Sequence, residues 1–73
     1  MNLDHLIKMA NEISAFWDGE AGSESASKEV AMHLRRYWEP RMRAQIITYL
    51  EERQGAGLTD TAKKAVATLK QVP

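Results

Sequence analysis

Cysteine is absent from this sequence, and its absence excludes two common ways of stabilising a short chain. Without thiols there is no disulfide and no thiolate zinc site. The two histidines, His5 and His33, are too far apart in sequence to show a metal-ligand spacing. A core built from only 73 residues rarely supplies more than about 3–5 kcal/mol. Oligomerisation or a partner protein is therefore the expected source of additional stability.

Long apolar runs are also missing. No stretch approaches the ~18 consecutive apolar residues typical of a transmembrane helix. Residues 1–5 lack the basic and apolar regions of a signal peptide. A cytoplasmic protein without membrane association is expected, and the lack of cysteine fits such a reducing compartment.

The sequence has no excess of charge of either sign, since 10 basic residues balance 10 acidic ones. The charges are unevenly spread, because residues 1–27 hold five acidic residues and one lysine. Basic residues outnumber acidic ones in the rest of the chain. The chain is dipolar rather than basic, which argues against a general nucleic-acid binder that neutralises many phosphates.

Apolar residues recur at helical spacing along the whole chain, which predicts an all-α fold. The first helix is expected over residues 3–17 with Asn2 as its N-cap, followed by a loop over residues 18–23 that contains two glycines. The expected bounds of the later helices are Ser23 or Ser25 to Trp38, Pro40 to about Gln54, and Thr59 or Asp60 onwards. Pro40 disfavours helix at Glu39. The prediction is one domain, a bundle of three to four short helices with a break at Glu39-Pro40.

The segment over residues 33–43 is the most unusual in composition, since it holds four arginines, two large aromatic residues and a proline. Its candidate partner-binding residues are Arg35, Arg36, Tyr37, Trp38, Pro40, Arg41, Met42 and Arg43. Glu39 is its only acidic residue, so the arginines repel one another unless acidic groups meet them. Guanidinium groups pair with carboxylates and stack on aromatic rings. Arg, Trp and Tyr are also enriched at interfaces.

Two interpretations of this segment remain open. In the first, Tyr37, Trp38 and Met42 belong to the core, while the arginines are solvated or pair with acidic residues of the same chain. The candidates for such pairs are Glu12, Glu20, Glu24 and Glu39. In the second, the arginines contact acidic groups of a partner, and the two aromatic residues support them from beneath. Aromatic residues at helical spacing usually pack inward, so Tyr37 and Trp38 are predicted to be buried.

The first helix and this segment together resemble the delta subunit of cytoplasmic NAD-dependent formate dehydrogenase. The resemblance rests on residues 3–11 with Ile13 and Phe16, and on residues 33–43 with Ile46. Members of that family carry a histidine, two arginines, two aromatic residues, an acid and a proline in this order. The similarity covers residues 1–54, whereas residues 55–73 are predicted to form a C-terminal helix that is not assigned.

The resemblance implies a non-catalytic accessory subunit with no cofactor of its own. In such complexes the alpha subunit oxidises formate to carbon dioxide at a molybdenum or tungsten centre held by a pterin cofactor. Electrons then pass through iron–sulfur clusters to FMN and NAD in other subunits. The expected partners are the alpha and other subunits of formate dehydrogenase. The implied role is either to stabilise the assembled enzyme or to help cofactor insertion. The sequence does not distinguish molybdenum from tungsten as the metal of the partner.

Other ligands also suit the arginines. A small nucleic-acid-binding module is the alternative function, because arginines can hold phosphates while Tyr37 and Trp38 stack on bases. The zero net charge and a proline in place of the commoner turn glycine count against it. The phosphates of the pterin cofactor are a third candidate.

A second candidate surface lies on the first helix at Met9, Ile13 and Phe16. Phe16, Trp17 and Trp38, if exposed, would favour a homodimer when the partner is missing. No residue is predicted to be catalytic or to bind a metal. His33, expected at a helix boundary, and Glu39 are acid–base candidates by residue type alone.

Overall fold

The computed structural model of this chain describes residues 2–71 and contains four α-helices. They are α1 (Leu3–Ala21), α2 (Ser23–Tyr37), α3 (Pro40–Arg53) and α4 (Asp60–Gln71). Within residues 2–71 there is no strand. The all-α fold and the break at Glu39-Pro40 are therefore confirmed. Residue 1 and the last two residues of the expected C-terminal segment lie outside the described residues.

All four helices contribute to one hydrophobic core. Its fully buried members include Leu6 and Ala10 of α1, Val30 and Leu34 of α2, Ile46 of α3, and Ala62, Ala65 and Val66 of α4. The α2 helix packs against both α1 and α4, and α4 also packs against α3. Because α2 is fixed on two sides, the residues at its C-terminal end are held in a defined position.

The break between α2 and α3 has a local cause in the backbone. Trp38 and Glu39 have extended conformations, with ψ angles of 138° and 151°. Pro40 then occupies the first turn of α3. Backbone N–H groups in a first turn have no acceptor within the helix, so proline, which lacks this N–H, costs no hydrogen bond there. The proline therefore both ends one helix and begins the next, as its effect on the preceding residue predicts.

The α1 helix is longer than the sequence suggested. It extends through Gly19 to Ala21, so the predicted loop over residues 18–23 is wrong, and Gly22 alone separates α1 from α2. Gly22 has a φ of +78°, a conformation that glycine adopts without steric cost. Asp18 accepts a hydrogen bond of 2.6 Å from the Thr61 hydroxyl of α4. This contact anchors the last turn of α1 and helps to offset the cost of Gly19 within a helix.

Asn11 connects α1 to the loop that precedes α4. Its side-chain amide donates to the carbonyl oxygen of Gly57 at 2.8 Å, and its side-chain oxygen accepts from the backbone N–H of Thr59 at 2.9 Å. Thr59 in turn caps α4 by accepting the N–H of Ala62 through its hydroxyl. One amide side chain therefore satisfies both a donor and an acceptor of a loop that has no regular structure.

Replacement of Asn11 by alanine is expected to lower the free energy of unfolding by about 1–2 kcal/mol, because two hydrogen bonds worth roughly 1 kcal/mol each are lost. Asn11→Asp should cost part of that amount, since it keeps the acceptor for Thr59 but loses the donor to Gly57. Urea denaturation followed by circular dichroism measures both. Glu12→Ala, at the next and exposed position, is the control, and an equal loss in that variant would contradict the assignment.

Candidate functional site

Trp38 and Tyr37 are adjacent in sequence but have opposite environments. Trp38 is 4% exposed and belongs to the core, whereas Tyr37 is 67% exposed. The burial predicted for Trp38 is confirmed and that predicted for Tyr37 is wrong. The buried stripe of α2 continues from Val30 and Leu34 to Trp38 at four-residue steps. Tyr37 instead follows His33, and the two rings lie 4.8 Å apart outside the core.

Arg43 is used within the fold. Its Nη1 atom donates to the carbonyl oxygens of Arg35 and Trp38, at 2.7 and 2.8 Å. These carbonyls lie at the C-terminal end of α2, where they have no helical donor and where a positive charge is favourable. Arg43 therefore links the start of α3 to the end of α2, and it meets backbone oxygens instead of an acidic partner.

The remaining arginines of this segment are exposed. Arg35, Arg36 and Arg41 form no ion pair within residues 2–71, where the one ion pair joins Lys70 to Glu51 at 2.7 Å. The acidic candidates for intrachain pairing, Glu12, Glu20, Glu24 and Glu39, are not within pairing distance of them. We call Arg35, Arg36, Tyr37, Pro40 and Arg41, which are all exposed, the arginine corner.

The arginine corner divides between two surfaces. Arg36 and Tyr37 line a small hollow beside α1. Arg41 lines a broader groove of about 750 Å³ along α3, together with Tyr49 and Arg53. Met42, which was grouped with these residues from the sequence, is half-buried and packs on the core. The corner therefore presents cationic groups in two directions from the α2–α3 junction.

The second candidate surface, on α1, is partly buried. Met9 and Ile13 are half-buried and pack against the core, whereas Phe16 is 60% exposed. Phe16 meets Trp17 edge to face, with the ring centres 5.2 Å apart. The part of this surface that is open to a partner is therefore its aromatic end.

Two hollows between α1 and α2 join the two predicted surfaces. One, of about 390 Å³, is lined by Glu12, Ile13, Phe16, Trp17 and His33. The other, of about 250 Å³, is lined by Trp17, Glu29, Met32, His33, Arg36 and Tyr37. Because both hollows contain Trp17 and His33, they form one continuous surface, which we call the α1–α2 face.

Four residues of the α1–α2 face were not identified from the sequence as part of a surface. They are Glu12, Glu29, Met32 and His33. The spacing of Glu29, His33 and Tyr37 at four-residue steps is the signal that would have found Glu29 and His33, since such residues share one side of a helix. His33 also lies inside α2 instead of at a helix boundary, so its ring helps to form this face.

The exposed side chains of the described residues include groups that suit contacts with another protein. Across residues 2–71, no group of three or more His, Cys, Asp or Glu side chains is arranged to hold a metal ion. The same residues include no helix that is both long and apolar enough to cross a membrane. Exposed guanidinium groups and aromatic rings suit the recognition of carboxylates and apolar side chains on another protein.

Together these features define a small helical-bundle protein with an exposed arginine and aromatic surface. The chain belongs to the family of the NADH-dependent formate dehydrogenase delta subunit FdsD, whose family model matches residues 5–66. The resemblance seen in the sequence is thereby confirmed, and the match continues past residue 54 into α4. In further comparisons no curated protein and no solved structure matched the chain.

Proposed function

We propose that this chain is a non-catalytic accessory subunit that binds a cytoplasmic NAD-dependent formate dehydrogenase and stabilises it or helps it to mature. The contact is made with the alpha subunit, which carries the molybdenum or tungsten pterin in this proposal. Formate oxidation, the iron–sulfur clusters and FMN are assigned to the other subunits. The family to which the chain belongs supports this role.

The observation that carries the proposal is the set of exposed arginines without acidic partners. Arg35, Arg36 and Arg41 make no ion pair among residues 2–71. Carboxylates of a partner would supply the opposite charge that these arginines do not meet among the described residues. Exposed Tyr37 beside them adds an amphipathic ring of the kind enriched at interface hot spots.

The nucleic-acid alternative has fewer residues available than the sequence suggested. Trp38 is buried, so its ring cannot stack on a base in this conformation. Arg43 is bound to two backbone carbonyls. Arg35, Arg36 and Arg41 remain exposed and could still bind phosphates. A gel-shift assay with mixed DNA and RNA tests this alternative, and salt-sensitive binding by the isolated chain would favour it.

Purification of the tagged chain from its own cells tests the proposed function. We expect formate dehydrogenase subunits to co-purify, the alpha subunit in direct cross-linked contact, together with formate-dependent reduction of NAD. A preparation without any formate dehydrogenase subunit would refute the proposal. Deletion of the chain then separates its two roles. Loss of assembled complex indicates stabilisation, whereas an assembled complex that lacks pterin and metal indicates a role in maturation.

A further inference from the structure

One stripe of α2 carries charges of opposite sign on either side of exposed apolar surface. Glu29, Met32 and Arg36 lie three and four residues apart and therefore share one side of the helix. Met32 is 54% exposed although it is a large apolar residue. Glu29 and Arg36 are without an ion pair among the described residues. Neither charge is therefore neutralised within the chain.

We propose that a second copy of this chain docks on the α1–α2 face through a two-fold axis near Met32. Glu29 and Arg36 are separated by two helical turns, about 10 Å along the axis. When two copies of α2 lie antiparallel about Met32, each Glu29 faces Arg36 of the second copy. A two-fold interface uses the same patch on both copies, so the patch has to be complementary to itself. The charges on this stripe meet that requirement.

The rest of the α1–α2 face supplies apolar surface for this pairing. Phe16 and Tyr37 are 60% and 67% exposed, and half-buried Trp17 lies between the two hollows. Exposed apolar patches of this kind on a small domain mark sites of association. The zero net charge of the chain means that two copies do not repel each other overall. Burial of these rings adds to the two charge pairs.

The pairing concerns the isolated chain and does not depend on the proposed role in formate dehydrogenase. It covers Arg36 and Tyr37, which also belong to the arginine corner. A partner that contacts these two residues would therefore displace the second copy. Glu29 and Met32 lie outside the arginine corner. Substitutions at these two positions should therefore affect the pairing of two copies without affecting binding of the enzyme through the arginine corner.

Sedimentation equilibrium of the purified full chain, with complementary charge reversals, tests the pairing. Wild type is expected to be dimeric. Glu29→Arg alone and Arg36→Glu alone should each raise the dimer dissociation constant by roughly tenfold or more, because like charges then face each other across the interface. An equimolar mixture of the two variants should recover dimers, since both crossed contacts again join opposite charges.

Lys64→Glu is the matched control, because Lys64 is exposed on α4 outside the α1–α2 face. It should dimerise like wild type, and circular dichroism should show unchanged helical content in every variant. Any of three results would overturn the proposal. They are a monomeric wild type, single charge-reversal variants that dimerise as wild type does, and an equimolar mixture of the two variants that stays monomeric. Phe16→Ser supplies a charge-neutral check and should also weaken the dimer.

Discussion

The Trp38→Ala variant is expected to be unfolded at room temperature. The indole is 4% exposed and lies in the core cluster that joins all four helices. Truncation of a buried tryptophan costs about 3–5 kcal/mol, which equals the whole stability expected of a domain of this size, about 3–5 kcal/mol. Far-ultraviolet circular dichroism should show loss of most helical signal without denaturant.

Tyr37→Ala is the matched control for this effect, because it removes an aromatic side chain at the adjacent position. Tyr37 is 67% exposed, and exposed substitutions usually change stability by no more than about 0.5 kcal/mol. This variant should keep the helical content and the urea midpoint of wild type. A folded Trp38→Ala chain, or a Tyr37→Ala chain that loses as much stability, would contradict the assignment of Trp38 to the core.

The helices were predictable because their signals are local. The periodic apolar residues of α4, from Ala62 to Leu69, are buried as their spacing indicates, and so is Leu58 just before the helix. Pro40 marks the start of α3 through a steric effect on its own neighbour. Asn2 caps α1 by accepting the N–H groups of Asp4 and His5. Each of these features depends on residues within one helical turn, so the sequence alone contains the information.

The end of α1 was not predictable in the same way. Glycine is unfavourable within a helix by about 1 kcal/mol relative to alanine, and Gly19 therefore suggested a loop. The hydrogen bond between Asp18 and Thr61 joins residues 43 positions apart in sequence. The spacing of neighbouring residues contains no information about a contact over such a distance. Long-range hydrogen bonds of this kind decide between a frayed and a continued last turn.

The candidate site was only partly predictable for a related reason. The sequence indicated that arginines and aromatic residues cluster near Pro40, and it did not show which of them turn inward. Arg43 finds carbonyl partners only because the break at Pro40 brings α3 back to the end of α2. The α1–α2 face depends on the packing of two helices, which places Phe16 and His33 beside one hollow.

Simultaneous replacement of Arg35, Arg36 and Arg41 by alanine is expected to abolish co-purification with the alpha subunit. Truncating one partner of a buried interfacial charge pair costs roughly 2–5 kcal/mol, and tenfold in affinity corresponds to about 1.4 kcal/mol. Each arginine that is buried at the interface should thus weaken binding by more than about tenfold. The three side chains are exposed in the isolated chain, so its helical content should not change.

Lys28→Ala combined with Lys64→Ala is the control, because it also removes exposed positive charge without touching the arginine corner. This variant should co-purify with the enzyme as wild type does. Arg43 is left unchanged in both variants, since its loss would release the end of α2. If the triple arginine variant retains the complex, the arginine corner is a solvated surface. Recognition would then have to use the first helix around Met9, Ile13 and Phe16, where a Phe16→Ser variant would lose the complex instead.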